Sequence, residues 1–294
     1  MELEQAATAD AEPTSRYLEL EGLKLHYLDW GGDSRQHTFL LLHGGSAHAH
    51  WWDHVAPLLV EQGRVLALDF RGHGGSDWVR PANYGIQIYV EDVRAMIDHL
   101  GTRVILGGHS MGGEVAQWFA ARHPEKLEAL LCVDSPFGGP PLMRRLMWRW
   151  RRLKMRRTRG PGRPELKTLD DVRRRFKLSP PDTYLKRHQL ERLAHLGAEQ
   201  LPNGNWAFRV DPETRNWRRM NRQRMRRPDP KAITAPTLIL RGDQSGLVSA
   251  RSSRRMHARI RGSVYREIPR AFHHVPLDNP ADTAQAIIEF VDTL

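Results

Sequence analysis

The stretch Gly108-His109-Ser110-Met111-Gly112 decides how this sequence is interpreted. It fits the pattern Gly-x-Ser-x-Gly, in which a serine occupies a sharp turn between a strand and a helix. The apolar residues 104–106 lead into it like a strand, and a helical pattern begins at Met111. Small residues must flank the serine because its backbone is strained there and the two elements lie close together. We therefore expect the Ser110 hydroxyl to stand above the sheet, at the N-terminus of a helix.

A second glycine-rich stretch, His43-Gly44-Gly45, follows the apolar run 38–42. A serine that attacks a carbonyl needs backbone N–H groups directed at the oxyanion that forms. Loops of this kind supply one such donor, and the residue after the nucleophile supplies the other. We therefore predict Gly45 and Met111 as the oxyanion donors. His43 is interpreted as a structural residue whose ring holds the loop.

Strand-like and helical segments alternate along most of the chain. The first two strand-like runs alternate in polarity, as half-buried antiparallel strands do, whereas those at 38–42, 65–68, 104–106 and 129–133 are continuously apolar, as in a sheet covered on both faces. The strand-like runs are 17–20, 23–27, 38–42, 65–68, 104–106, 129–133, 237–240 and 264–268, and the helical ones are 52–62, 88–100, 111–122 and 281–294. This order predicts βαβ units and a mostly parallel sheet.

Three motifs in this order resemble the α/β-hydrolase superfamily, in its serine-nucleophile, esterase- and lipase-like branch. They are residues 43–45, the run Asp69-Phe70-Arg71-Gly72-His73-Gly74-Gly75-Ser76-Asp77, and residues 108–113. The likeness extends from about Tyr17 to the C-terminus, apart from an insertion. It implies an α/β-hydrolase fold, with a mostly parallel central sheet, helices on both faces and an inserted helical cap. By this resemblance the run 69–77 is mainly a structural loop.

The nucleophile requires a base, because a serine is a weak nucleophile until its proton is removed. In this fold the base is a histidine in the loop before the last helix. Ala271-Phe272-His273-His274-Val275-Pro276 lies there. The spacing to Pro280 favours His273, with His274 as a neighbour that lines the pocket, and His274 is the alternative base.

The third member must be a carboxylate that orients the histidine. By resemblance the usual position lies in the loop after the run 237–240, where this chain has Ser245, with Asp243 two residues earlier. Some relatives, among them haloalkane dehalogenases and certain lipases, carry the acid after the preceding core strand instead. That position is Asp134, which follows the apolar run 130–133. We favour Asp134 over Asp243. Alternatively, either aspartate could be a structural loop residue whose carboxylate accepts hydrogen bonds from backbone N–H groups.

The alternation breaks after Pro136 and resumes near residue 231. We therefore divide the chain into a flexible tail (1–15), a hydrolase core (16–136 and 231–294) and a basic helical cap (137–230). The net charge is +11, and most of the excess lies between residues 144 and 227. Two stretches, 142–159 and 215–227, combine arginine with tryptophan.

The basic segment has one plain interpretation and two functional ones. The plain one is a solvated cap whose arginine stems cover apolar surface. The others are attraction of anionic substrates and weak contact with an anionic membrane. Nucleic-acid binding is disfavoured because no recognised module accompanies the charge.

Composition excludes several other classes. The single cysteine, Cys132, cannot form an internal disulfide and lies in an apolar run, which indicates a small buried hydrophobe. The first residues lack the features of a secretory signal, and no run approaches about 20 apolar residues, so we expect a cytoplasmic protein. We see no metal-ligand cluster and no phosphate-binding loop, and expect no cofactor.

These residues favour hydrolysis of a small-molecule carboxylic ester through an acyl-enzyme. Thioesterase, amidase, lactonase, carbon–carbon bond hydrolase and cofactor-free perhydrolase use similar constellations and stay open. Epoxide hydrolase and haloalkane dehalogenase are disfavoured, because their resemblance would place an aspartate at position 110. The alternative outside the enzymes is a catalytically inactive relative that binds a ligand or a membrane.

Overall fold

The fold is built on an eight-stranded sheet, seen in a computed structural model that describes residues 12–136, 163–215 and 229–294. The strands of the chain are β1 (Thr14–Leu20), β2 (Leu23–Asp29), β3 (His37–Leu42), β4 (Gly63–Leu68), β5 (Val104–His109), β6 (Leu127–Val133), β7 (Ala198–Gln200), β8 (Trp206–Phe208), β9 (Thr237–Gly242) and β10 (Val264–Ile268). The α-helices are α1 (Ile86–Leu100), α2 (Met111–Ala120), α3 (Leu169–Arg175), α4 (Arg187–Leu196), α5 (Ala250–His257), α6 (Val275–Asp278) and α7 (Pro280–Val291).

The large sheet has the order β1-β2-β4-β3-β5-β6-β9-β10. β1 pairs antiparallel with β2 and β2 with β4, whereas all the other neighbours are parallel. The carboxyl ends of β3, β5, β6 and β9 therefore meet at one edge of the sheet. Each of the predicted site residues follows a strand of this sheet, so this edge is where they can come together.

The sheet lies between two hydrophobic cores, which confirms the prediction of helices on both faces. On β3, Leu40 and Leu42 belong to one core, together with residues of α1 and α2. Phe39 and Leu41 belong to the other, together with residues of α7. Successive strand side chains point to opposite faces, so a continuously apolar strand is what a doubly covered sheet requires.

Two local predictions were wrong. Residues 52–62, predicted as one helix, instead contribute to two 3₁₀-helices, Ala49–Trp52 and Ala56–Leu59. Pro57 lacks a backbone N–H and lies at the start of the second one, so it cannot continue an α-helix from before it. The other error concerns part of the inserted segment, which was predicted as helical. It does contain α3 and α4, but β7 and β8 form a short antiparallel sheet there. These strands are too short for a period of two to be visible in the sequence.

The structure describes only part of the predicted tail and of the two basic stretches. β1 begins at Thr14, so the sheet starts within the predicted tail 1–15, of which residues 1–11 lie outside the described part. The stretch 142–159 and residues 216–227 also lie outside it. Among the helices that the structure describes, none combines the length and apolar character needed to cross a bilayer.

Cys132 lies on β6 and is buried, with 1% of its surface exposed. Burial raises the pKa of its thiol, because a thiolate would lose its hydration there. The cysteine therefore packs as a small apolar side chain, in agreement with its interpretation from the sequence.

Candidate active site

Ser110 occupies the turn between β5 and α2. Its backbone has φ 53° and ψ −113°, a conformation that L-residues rarely adopt. The strain is held by surrounding contacts, since its backbone N–H donates to Val133 O at 3.0 Å and α2 begins at the next residue. Ser110 is only half-buried, whereas the whole of β5 is buried. The turn thus presents the hydroxyl at the carboxyl edge of the sheet, as the motif predicts.

The flanking glycines allow this turn because no side chain would fit. A Cβ on Gly108 would lie 2.3 Å from the carbonyl carbon of Gly112, and one on Gly112 would lie 2.5 Å from Leu42 O. The backbones of β5, α2 and β3 therefore approach each other more closely than a methyl group permits. This close packing is the physical reason for the Gly-x-Ser-x-Gly pattern in this chain.

His273 lies in the loop between β10 and α6 and contacts Ser110. Its Nε2 is 2.9 Å from Ser110 Oγ, and its side chain is almost completely buried. His109 supports this loop, because its Nε2 donates to His273 O at 2.8 Å. Of the two adjacent histidines, the structure thus places His273 against the serine.

Asp134 follows β6 and completes a chain of hydrogen bonds to Ser110. Its Oδ2 lies 2.6 Å from His273 Nδ1, and the side chain has no exposed surface. Oδ2 also accepts from Ser245 Oγ at 2.7 Å, and Oδ1 accepts from Gly242 N at 3.2 Å. Burial raises the pKa of Asp134, whereas the hydrogen bonds from Ser245 and Gly242 act in the opposite direction.

The alternative acid, Asp243, points elsewhere. It is exposed, and its Oδ1 accepts from Ala271 N at 3.1 Å. Asp243 therefore ties the loop after β9 to the loop that carries His273, which matches the backbone-binding alternative for such a loop carboxylate.

The loop after β3 passes beside the serine. A Cβ on Gly44 would lie 3.4 Å from Ser110 Cβ, and one on Gly45 would lie 3.8 Å from Met111 Sδ. The two predicted oxyanion donors are therefore neighbours. Met111 is the first residue of α2, so its N–H has no partner within the helix.

His43 holds the base of this loop. Its Nδ1 donates to Gly44 O at 2.7 Å, and its Nε2 accepts from Phe70 N at 3.1 Å. Complete burial lowers its pKa to about 3, so the ring is neutral at ordinary pH. Both ring nitrogens are occupied by backbone groups, which suits the structural role expected for His43.

The inserted segment reaches the site through residues 179–184. His274 Nε2 donates to Pro180 O at 2.8 Å. Asp278 accepts from Thr183 Oγ1 at 2.6 Å and from Tyr184 N at 2.8 Å, and the Tyr184 ring stacks on Phe272. These contacts attach the segment to the loop that carries His273.

A small cavity of about 30 Å³ lies above Ser110. The described residues that line it are Gly44, Gly45, Ala47, Trp51, His109, Ser110, Ser179, His273 and His274. His274 thus lines the pocket, as expected. Within the described residues there is no group of three or more His, Cys, Asp or Glu side chains that could hold a metal ion.

Sequence reasoning missed three contributions to this site. His109 occupies a variable position of the motif, which says nothing about its contact with the His273 loop. Ser179 lies in the inserted segment, where no motif marks it. By resemblance, Ser245 stands at the position where relatives usually carry the acid, and that loop alignment is the one signal in the sequence that points towards its contact with Asp134.

Comparison with known proteins gives a family match over most of the chain. A family model described as alpha/beta hydrolase fold matches residues 37–280. An esterase from Mycobacterium tuberculosis is 29% identical over 269 residues, which are 90% of this chain and 84% of that protein. Epoxide hydrolase 3 from Xenopus tropicalis is 33% identical over 133 residues, but the match spans only 44% of this chain and 36% of that protein.

Solved structures show the same fold. A thioesterase domain from the curacin biosynthetic pathway has a TM-score of 0.78 at 22% identity, covering 94% of this chain and 99% of that one. The M. tuberculosis esterase structure has a TM-score of 0.75 at 23% identity, covering 98% and 95%. At these identities the likeness concerns the fold alone.

Proposed function

The chain belongs to the alpha/beta hydrolase fold family, and from this premise we propose that it cleaves carboxylic esters through an acyl-enzyme. The observation that carries the proposal is the unbroken chain of contacts from Ser110 Oγ to His273 Nε2 (2.9 Å) and from His273 Nδ1 to Asp134 Oδ2 (2.6 Å). A serine within reach of a base, itself oriented by a third group, is the arrangement that nucleophilic catalysis needs. A relative that aligns over 90% of this chain is also named an esterase.

In this mechanism His273 removes the proton of Ser110 as Oγ attacks the ester carbonyl. The N–H groups of Gly45 and Met111 stabilise the oxyanion of the tetrahedral intermediate. His273 then gives the proton to the leaving alcohol, and the acyl group stays on Ser110. A water molecule, deprotonated by His273, attacks the acyl-enzyme, and collapse of the second intermediate releases the acid and returns the proton to Ser110.

Asp134 orients His273 in both halves of the reaction. A carboxylate at Nδ1 holds the ring so that Nε2 faces the serine, and it stabilises the imidazolium that forms when His273 takes the proton. The contacts of Asp134 with Ser245 and Gly242 favour the ionised carboxylate that this role requires.

Epoxide hydrolases are among the relatives, but the position of their expected aspartate nucleophile is Ser110 here. A serine favours the acyl-transfer mechanism over ring opening by a carboxylate.

We also propose that the segment 137–230 is a cap over the site, since residues 179–184 of it already contact the His273 loop. Its positive charge supports an acidic substrate or an anionic surface as partner.

The test is turnover of p-nitrophenyl esters from acetate to palmitate by the wild type and by Ser110→Ala. We expect Ser110→Ala to lower kcat by at least about 10³-fold, because the nucleophile is lost. The chain-length profile distinguishes an esterase from a lipase. Absence of turnover on every ester by the folded wild type would contradict the proposal.

Ser15 offers a matched control. Its Oγ is 2.7 Å from His26 Nε2, and His26 Nδ1 is 2.7 Å from Asp69 Oδ2, so a serine next to a histidine–aspartate pair occurs a second time, here with an exposed serine. Ser15 lies on the edge strand β1, away from α2 and the Gly44–Gly45 loop. We expect a fluorophosphonate probe to label wild type and Ser15→Ala equally and to leave Ser110→Ala unlabelled.

A further inference from the structure

Ser245 lies at the position where relatives of this fold usually carry the acid, and here it contacts the acid from another strand. The residue is buried, with 7% of its surface exposed. Its Oγ is 2.7 Å from Asp134 Oδ2 and 3.1 Å from Val248 N. An amide N–H can only donate, so Oγ accepts from Val248, and its own proton is available for the carboxylate.

The carboxylate oxygen that Ser245 contacts is the one that faces the base. Asp134 Oδ2 accepts from both the Ser245 hydroxyl and His273 Nδ1, whereas Oδ1 accepts from Gly242 N. Two donors on one oxygen, together with a third on the other, fix the rotation of the carboxyl group about its Cβ–Cγ bond. Ser245 also provides the strongest of the contacts that oppose the rise in the pKa of Asp134 caused by burial.

Two neighbouring loop ends therefore meet at this carboxylate. β6 and β9 are parallel neighbours with Val133 opposite Leu240, and Asp134 N donates to Leu240 O at 2.8 Å. The loop after β9 then turns back so that Ser245 reaches the same point. The site of the acid is thus bordered by position 134 on one side and position 245 on the other.

We propose that Ser245 is a positioning residue that directs Asp134 Oδ2 at His273, and that position 245 is able to carry the acid itself. This proposal rests on the proposed function, and it adds how the carboxylate of the catalytic acid is held in place. An aspartate side chain extends one bond beyond a serine Oγ. A carboxylate at position 245 would therefore extend into the space now taken by Asp134 Oδ2, next to His273 Nδ1.

The first experiment compares Ser245→Ala with Ser245→Thr, which keeps the hydroxyl. We expect Ser245→Ala to lower kcat about tenfold with little change in KM, because a hydrogen bond to a charged group is lost. The acidic limb of the kcat/KM profile should move to higher pH, since the His273–Asp134 pair loses a donor that favours its deprotonated form. Ser245→Thr should rescue both effects.

The second experiment moves the acid. Asp134→Gly, which leaves that space open, should be nearly inactive, and the double variant Asp134→Gly/Ser245→Asp should recover at least about tenfold over it. Glycine suits position 134 because the backbone there has φ 41°, a conformation that glycine adopts readily. Ser245→Ala with the wild-type kcat and pH profile, or a folded double variant no more active than Asp134→Gly, would overturn the proposal.

A readout without turnover separates this inference from the proposed function. The low-field ¹H NMR signal of the His273 Nδ1 proton, assigned by its loss in His273→Gln, reports the hydrogen bond to Asp134 directly. We expect the signal to shift in Ser245→Ala and to return in Ser245→Thr, whether or not esters are cleaved. An unchanged signal in Ser245→Ala would refute the positioning role even in an active esterase.

Discussion

Asp134 and Asp243 follow neighbouring strands, but they have different surroundings. Asp134 is fully buried and contacts His273, whereas Asp243 is exposed and accepts from a backbone N–H. A buried carboxylate is costly unless it is paired and hydrogen-bonded, so a structure keeps it only where its contacts offset that cost. The contacts of Asp134 meet this condition.

Replacement of each aspartate by asparagine tests the assignment. We expect Asp134→Asn to lower kcat by roughly 10³- to 10⁴-fold, because an amide no longer holds the tautomer of His273 that the reaction needs. Asp243→Asn should stay within about threefold of the wild type, since an amide oxygen can still accept from Ala271 N. Steady-state kinetics on the best ester measures both. Full turnover in Asp134→Asn together with loss of turnover in Asp243→Asn would show that the acid is misassigned.

At the scale of elements, the site depends on how closely β3, β5 and α2 pack. Gly112 is the first-turn residue of α2 that faces the end of β3, where a Cβ would lie 2.5 Å from Leu42 O and 2.6 Å from His43 O. Both atoms belong to the backbone, so neither can move without shifting the strand or the loop after it. The same loop carries Gly45, and a shift there would also displace a proposed oxyanion donor.

We therefore expect Gly112→Ala to reduce the free energy of unfolding by about 1–3 kcal/mol, the usual cost of overpacking. Urea denaturation followed by circular dichroism measures this change. Gly246→Ala is the matched control, because a Cβ there meets nothing within 4 Å. Equal stability of the two variants would show that the backbone at the turn can relax.

At the scale of the whole molecule, several histidines are buried as neutral rings. Burial lowers the pKa of His43 to about 3 and that of His48 and His73 to about 4, and it places the pKa of His109 well below its usual value. In the unfolded chain these rings have a pKa near 6.5. Between pH 6.5 and about 4 the unfolded state therefore binds more protons than the folded state.

Because the unfolded state binds more protons in that window, the free energy of unfolding rises with pH between about pH 4 and 6.5 and falls as the pH is lowered through it. We expect the free energy of unfolding to decrease from pH 7 to pH 5 by roughly 1 kcal/mol per pH unit for each of these histidines. Urea titrations at pH 7, 6 and 5 measure it. Replacement of the exposed His188 by glutamine should leave the slope unchanged. A protein equally stable at pH 5 and pH 7 would contradict the prediction.

Much of the fold and the strained turn at Ser110 could be predicted because their signals are local. A continuously apolar strand, a glycine that excludes a side chain and a serine in a strained turn are each encoded within a few residues, as at Gly108 and Gly112. The helix predicted over 52–62 failed because one proline outweighed the apolar pattern. The short strands β7 and β8 were missed because three residues carry too little periodicity.

The sequence alone determined the order along the chain of the eight strands of the large sheet, the serine turn and the pair of histidines that could supply the base. Only the tertiary structure decided which aspartate contacts His273. The register of β6 against β9 and the course of the loop after β9 bring Asp134 to the ring and leave Asp243 away from it. The same holds for Ser245, whose partner lies 111 residues away along the chain. Contacts between distant segments depend on how strands align in space, and no local pattern of residues carries that information.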